Sequence, residues 1–212
     1  IQSTGYGLVY FVDEMLKSIG ESIEGKKIAI SGYGNVAWEA AKKANELGAK
    51  VITISGPDGY IYCEDGMTDE MIDFMPELRA SNDDTVRPIS YEFPQLFFKQ
   101  KKKPWDIKCD IALPCAIENE LSINDAQSLI KNGCICVAEG ATRPCNPDAV
   151  ENFIDNNILF GPGKAANGGG TIISGLEIIQ NNSYMRWSES EVDGKLKDIM
   201  TKANNGEAVT LQ

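Results

Sequence analysis

Two glycines one residue apart are the residues whose chemistry is easiest to infer, in IAISGYGNVAW at positions 28–38. Gly32, Gly34 and Ala37 fit the spacing G-x-G-x-x-G/A, between an apolar strand-like run and a helical pattern. There the first glycine permits a tight turn, and the second lets the backbone approach a pyrophosphate. The N-terminus of the following helix would bind the anion. Glycines also punctuate many ordinary turns, so a purely structural loop is the alternative.

A second chemical marker follows at Ser55-Gly56-Pro57-Asp58-Gly59. At the end of the second strand of such a unit, an acidic residue bonds a free ribose 2′-hydroxyl, whereas a nearby arginine accommodates a 2′-phosphate. Ser55 and Asp58 are therefore candidate cofactor contacts, with no basic residue close by in sequence. This favours NAD and leaves NADP as the alternative. Asp58 can equally be a turn residue, since Pro-Asp-Gly is a common turn former.

Other chemistries are disfavoured by composition. The chain has no histidine, which removes the commonest general base. It has six cysteines, but none forms a C-x-x-C pair, and no histidine is available to complete a zinc site. The sequence therefore predicts no metal site, and it favours reduced thiols in a cytoplasmic protein.

Charge and hydropathy limit the partners. The 212 residues are 42% hydrophobic and 24% charged, as in soluble globular proteins. A net charge of −11 disfavours nucleic acid and anionic membranes. No apolar stretch approaches the roughly 20 residues of a membrane-spanning helix. The basic run KQKKK at 99–103 is interpreted as a solvated loop.

These residues must be positioned by short apolar strands that alternate with helices of about ten residues, a pattern typical of parallel βαβ units. Strands are predicted at 27–31, 50–55, 110–113, 134–138 and 158–160, with a hairpin arm at 60–63. Helices are predicted at 6–19, 35–47, 68–80, 122–131, 147–156 and 171–181, with a short one around 90–98. The prediction is a doubly wound, mostly parallel α/β domain. Its ligands would bind beyond the carboxyl ends of the strands, where strand order reverses.

Several stretches, taken together, resemble one family. They are TGYGLVYFVDEML (4–16), GYGNVA (32–37), SGPDGYIY (55–62), DIALPCAIENEL (110–121), AEGA (138–141), GPGKAANGGG (161–170) and SGLEIIQN (174–181). In this order they resemble the hexameric glutamate dehydrogenases of the Glu/Leu/Phe/Val dehydrogenase superfamily, in their Rossmann-like coenzyme-binding domain. SGPDGYIY is most similar to the NAD-linked members.

The resemblance implies further cofactor contacts. Thr4 and Asn35 would hydrogen-bond the nicotinamide carboxamide region, and Gly34, Asn35 and Val36 would cradle the pyrophosphate. The pair Cys115-Ala116 would lie near the adenosine ribose and the nicotinamide side of the groove. Two simpler roles stay open, because Thr4 could cap the first helix and Asn35 the second.

The same resemblance implies a substrate pocket. Asn167 would face the nicotinamide and the substrate, and Thr142 stands where the family has a nicotinamide-facing amide. Ser174 would bond the side-chain carboxylate of glutamate, with Thr171 lining the same pocket. Ser174 could instead bond back to its own helix.

Departures from the family pattern bear on substrate choice. Ile117 and Glu118 replace Thr and Gln, while Thr142 and Arg143 replace Asn and Met. Gly168 and Thr171 replace Ala and Val. We expect the fold to follow the family more closely than the substrate preference does.

The expected organisation is a linking helix at 1–20, a dinucleotide-binding domain at 21–182 and the start of a C-terminal helical segment at 183–212. In this family a separate N-terminal domain supplies the catalytic lysine and aspartate, so we expect no catalytic residue in this chain. The implied reaction of the parent enzyme, a homohexamer, is reversible oxidative deamination of L-glutamate to 2-oxoglutarate and ammonia. The alternatives are a dehydrogenase of another amino acid and a non-catalytic dinucleotide-binding module.

Overall fold

A computed structural model describes residues 3–81, 85–183 and 186–206. Its framework is a seven-stranded sheet with the order β4-β3-β2-β1-β5-β6-β7. The strands are β1 (Lys27–Ser31), β2 (Lys50–Gly56), β3 (Gly59–Tyr62), β4 (Phe97–Gln100), β5 (Ile111–Pro114), β6 (Cys136–Ala138) and β7 (Leu159–Gly161).

Helices connect and cover these strands. They are α1 (Ser3–Ser18), α2 (Asn35–Glu46), α3 (Asp69–Ala80), α4 (Ile89–Glu92), α5 (Ile123–Lys131), α6 (Pro147–Asp155), α7 (Gly163–Ala166), α8 (Gly169–Ser183) and α9 (Glu189–Asn204). A 3₁₀ turn, Pro104–Asp106, precedes β5. Among the described residues, no helix is both long and apolar enough to cross a bilayer.

The sheet is buried on both faces by two hydrophobic clusters. Ile28 and Ile30 of β1 pack with α1, α2 and α9 on one face. Ala29, between them, packs on the other face with Leu129 of α5 and Phe153 of α6. Alternate strand residues point to opposite faces of a sheet, so the apolar run of β1 supplies both cores.

Strand order reverses at β1. From β1 the chain runs outward through β2, β3 and β4, and then returns to place β5 on the other side of β1. β1 pairs in parallel with both β2 and β5, so the carboxyl ends of these strands lie at one edge of the sheet. This edge is the topological switch point where such folds bind ligands.

The predicted fold class is confirmed, as a parallel core with an antiparallel edge. The hairpin arm is strand β3, which pairs antiparallel with β2. The prediction for the segment 90–98 was wrong, because the helix there spans only Ile89–Glu92 and 97–100 form the edge strand β4. Three of the four residues of β4 are exposed, so no alternating apolar pattern marks it.

The division into a linking helix, a dinucleotide-binding domain and a C-terminal segment stays a prediction. Helix α1, within the predicted linking helix, packs against α2, α8 and α9. Helix α9 lies within the predicted C-terminal segment. Residues 1, 2, 184, 185 and 207–212 of these two segments lie outside the described residues.

Candidate functional site

A cleft of about 650 Å³ lies at the switch point, within the roughly 300–1,000 Å³ range of ligand pockets. Its wall comes from the loops after β1, β2 and β5, together with the C-terminal end of α3 and the turn after β4. The lining residues are Gly32, Tyr33, Gly34, Ser55, Gly56, Pro57, Gly59, Arg79, Lys101, Lys102, Lys103, Cys115, Ala116, Ile117 and Glu120.

The glycine loop forms the floor between β1 and α2. Gly32 has φ of +96°, and a Cβ there would lie 2.7 Å from the carbonyl oxygen of Cys115. Its N–H donates to Ser55 Oγ at 2.9 Å, which fixes the loop to the end of β2. A side chain at position 32 is therefore excluded twice, by conformation and by space.

Helix α2 presents its N-terminus to this cleft. Gly34 is the N-cap residue, and no described side chain caps the helix there. The N–H groups of a first helical turn have no partner within the helix and carry partial positive charge, so they suit an anion. Asn35 is the first helical residue and is exposed, which differs from the capping role considered above. Ala37 is fully buried, as the fingerprint requires.

Basic side chains line part of the cleft. Arg79 Nη1 lies 3.5 Å from the position a Cβ on Gly34 would take. Lys101, with φ of +52°, turns the chain after β4, and its N–H donates to Asp58 O at 2.8 Å. The basic run is exposed, but the prediction of a loop was wrong for Lys99 and Gln100, which belong to the edge strand β4. Lys101, Lys102 and Lys103 line the cleft. Local positive charge thus faces the cleft of a protein whose net charge is −11.

Asp58 holds the neighbouring loop. Its Oδ1 accepts from the Val86 N–H at 2.9 Å, and its Oδ2 accepts from the Arg87 N–H at 3.0 Å. It is not among the residues that line the cleft, whereas Ser55 is. These contacts fit the alternative role of Asp58 as a turn residue, and its contact with a ribose hydroxyl stays a prediction.

Of the residues that the resemblance assigns to the nicotinamide or the substrate, Cys115 and Ala116 line this cleft, whereas the others do not. The residues outside its lining are Thr4, Asn35, Val36, Thr142, Asn167, Thr171 and Ser174. Val36 lies near Cys115, since a Cβ on Gly140 would collide with Cys115 Sγ and lie 3.3 Å from Val36 Cγ1. Thr4 is within α1, where its Oγ1 faces Gly170 of α8. It is therefore helical, rather than a cap.

The remaining predicted residues are distributed over α7, α8 and the loop after β6. Asn167 is half-buried and ends α7, and Thr142 is exposed. Thr171 and Ser174 are exposed and three residues apart, on one face of α8. None of these four residues lines the 650 Å³ cleft.

Two of the departures from the family pattern contact each other. Arg143 Nη2 lies 2.5 Å from Glu118 Oε1, and the Asn119 N–H donates to Arg143 O at 3.0 Å. Both side chains are largely exposed, so the ion pair adds little stability. It does connect the loop after β5 with the loop after β6.

Sequence reasoning missed Arg79, Glu120 and the position of the basic run. Glu120 is 7% exposed, and its Oε1 accepts from Ser31 Oγ at 2.7 Å and from the Ala116 N–H at 3.0 Å. Burial raises the pKa of this carboxyl, while these hydrogen bonds and Lys103 act in the opposite direction. The sequence signal that could have found Glu120 is an acidic residue shortly after β5, a buried strand whose carboxyl end was expected at the switch point.

A doubly wound sheet with a glycine loop and an uncapped helix at its switch point defines a Rossmann-like α/β domain. The family model for Glutamate/Leucine/Phenylalanine/Valine dehydrogenase matches residues 1–210, and the chain belongs to that family.

Individual relatives agree with this assignment. The NAD-specific glutamate dehydrogenase of Bacteroides fragilis is 54% identical over 199 residues, covering 94% of this chain and 45% of that protein. The NADP-specific glutamate dehydrogenase of Haemophilus influenzae is 45% identical, covering 94% and 44%. The crystal structure of Plasmodium falciparum glutamate dehydrogenase superposes with a TM-score of 0.92 at 41% identity, covering 95% and 43%. The chain thus spans less than half the length of these relatives.

Proposed function

We propose that this chain is the coenzyme-binding part of a glutamate dehydrogenase, which carries out reversible oxidative deamination of L-glutamate to 2-oxoglutarate and ammonia. The observation that carries the proposal is the glycine loop at the switch point, where Cys115 packs so closely that Gly32 can carry no Cβ. Relatives that match 94% of the chain and are named glutamate dehydrogenases supply the reaction.

The residues present fit a dinucleotide. Gly32 and Gly34 leave room for a pyrophosphate, and the uncapped start of α2 supplies donors to it. The nicotinamide, when bound, supplies the hydride-transfer chemistry. The chain's own task is to bind and orient the coenzyme, which needs no proton-transfer group and agrees with the absence of histidine.

The proposed coenzyme is NAD, with NADP as an acceptable alternative. The relatives include both NAD-specific and NADP-specific enzymes. Arg79 and the three lysines that line the cleft could accept a 2′-phosphate. The engagement of Asp58 with Val86 and Arg87 weakens the argument for NAD from that residue.

Glutamate is the proposed substrate, with Ser174 and Thr171 as its contacts in this chain. The alternatives are a dehydrogenase of leucine, phenylalanine or valine and a dinucleotide-binding module without activity. We also propose that the complete enzyme is a homohexamer in the cytoplasm.

Two measurements test the proposal. Titration of the 212-residue chain with NADH or NADPH, monitored by the fluorescence of the nucleotide, should give saturable binding. The same chain should produce no NADH from NAD and glutamate. The parent protein, as long as its relatives, should oxidise glutamate in preference to leucine and phenylalanine. A chain that binds neither nucleotide would refute the coenzyme-binding role, and equal activity on the three amino acids would refute the substrate assignment.

A further inference from the structure

Glu120 is a buried carboxylate in the wall of the cleft, where an anionic coenzyme is proposed to bind. Moving a carboxylate out of water costs free energy unless hydrogen bonds or charges compensate it. A negative charge would also repel a phosphate. Its presence therefore calls for a role other than attraction of the ligand.

The hydrogen bonds of Glu120 join the ends of two strands. Its Oε1 accepts from Ser31 Oγ, at the end of β1, and from the Ala116 N–H, just after β5. Ser31 Oγ in turn accepts from the Cys115 N–H at 3.1 Å. Each polar group of this set, which we call the Glu120 network, is held by another member of it.

The turn held by this network is the surface against which the glycine loop packs. A Cβ on Gly32 would lie 2.7 Å from Cys115 O and 3.0 Å from the Ala116 nitrogen. A small shift of the turn would therefore move the floor of the cleft, because close-packed groups do not yield independently. The Lys103 ammonium donates to the Glu120 carbonyl oxygen, which connects the same network to the basic run.

We propose that Glu120 is a positioning residue of the coenzyme cleft, which holds the turn Cys115–Ala116 against the glycine loop so that the loop can receive a pyrophosphate. This inference rests on the proposed coenzyme-binding function. Glu120 acts through its acceptor oxygen, so an amide oxygen in the same place preserves most of the effect.

The test compares NADH binding by Glu120→Ala, Glu120→Gln and Ser31→Ala in the 212-residue chain. We expect Glu120→Ala to weaken binding about tenfold, and Glu120→Gln by less than about threefold, since glutamine retains an acceptor. Ser31→Ala should weaken NADH binding too. The double variant Glu120→Ala/Ser31→Ala should lose less binding free energy than the two single variants together.

A matched control separates positioning from loss of stability. Asp13 is a buried carboxylate paired with Lys17 at 2.8 Å, away from the cleft lining. Asp13→Ala should lower the urea midpoint while changing the NADH affinity by less than about twofold. If Glu120→Ala prevents folding, Glu120→Gln and Ser31→Ala still give the comparison.

The outcomes are distinguishable. Wild-type chain that binds no NADH would overturn the proposed function together with this inference. Wild-type binding with unchanged affinity in Glu120→Ala and Ser31→Ala would overturn the inference alone. The inference would also fail if Asp13→Ala weakened NADH binding as much as Glu120→Ala, or if Glu120→Gln weakened it as much as Glu120→Ala.

Discussion

Two constraints exclude a side chain at Gly32. Its φ is +96°, and a Cβ there would lie 2.7 Å from the carbonyl oxygen of Cys115. A strained backbone conformation alone costs about 1–3 kcal/mol. We expect Gly32→Ala to lower the free energy of unfolding by more than that and to weaken NADH binding. Gly133→Ala is the matched control, because Gly133 has φ of +88° with open space around a Cβ. Urea unfolding of both variants measures the difference. Equal losses would show that the contact with Cys115 does not matter.

Arg79 should distinguish the two coenzymes. Its guanidinium lines the same cleft as Ser55 and Gly56 at the end of β2, where a 2′-phosphate, which NADPH carries and NADH lacks, is expected to lie. We expect Arg79→Ala to weaken NADPH binding about fivefold and NADH binding much less, consistent with about 1 kcal/mol for an exposed charged contact. Arg87→Ala removes a nearby cation outside the cleft lining and should change neither affinity. Equal effects of Arg79→Ala on both coenzymes would contradict this assignment.

At the scale of elements, α9 is held to the domain through a buried lysine of α2. Lys43 Nζ lies 2.8 Å from Glu46 Oε2 of its own helix and 3.2 Å from Asp193 Oδ2 of α9. Tyr10 of α1 donates to the same Asp193 oxygen at 2.7 Å. The ammonium also lies 4.2 Å from the centre of the Tyr6 ring. Removing one partner of a fully buried ion pair costs about 3–5 kcal/mol, and Asp193 is partly exposed, so we expect Lys43→Met to cost about 2 kcal/mol.

The neighbouring lysine provides the control for that prediction. Lys42 pairs with Asp73 at 2.9 Å, with both side chains substantially exposed. Lys42→Met should therefore change the free energy of unfolding by less than about 0.5 kcal/mol. Urea unfolding of the two variants in one buffer gives the comparison. A loss in Lys43→Met no larger than that in Lys42→Met would show that the ion pairs of Lys43 with Glu46 and Asp193 contribute no more than an exposed pair.

The elements also explain which features were predictable from sequence. β1 and β2 are short, largely apolar and almost wholly buried, because both faces of the sheet are covered. The glycine loop is a local spacing, so all three features can be recognised within a short window. β4 is an exposed edge strand and carries no such pattern. Glu120 joins the cleft only because the chain returns from β4 to place β5 beside β1, and Arg79 joins it because α3 packs against α2. No local rule encodes that return.

At the scale of the whole molecule, buried thiols govern stability at alkaline pH. Burial raises the pKa of the thiols of Cys63, Cys115, Cys136 and Cys145, and a hydrogen bond with Cys134 is the main cause that raises that of Cys109. The folded chain therefore keeps these protons at pH values where the unfolded chain has lost them. Stability must then fall as pH rises above the unfolded thiol pKa of about 8.5, by up to about 1.4 kcal/mol per pH unit for each thiol.

Cys136→Ala tests this linkage, since Cys136 is fully buried in β6. The variant should be less stable than wild type at pH 8, because it leaves a cavity, and this deficit should shrink by pH 10, because the variant has one fewer thiol to ionise on unfolding. Tyr60→Phe is the control, because the pKa of Tyr60 is raised to about 12, chiefly by burial, and its proton affects stability only above about pH 10. Urea unfolding at pH 8, 9 and 10 measures all three proteins. A wild-type stability that stays level from pH 8 to pH 10 would contradict the prediction, since the unfolded chain ionises its thiols over that range.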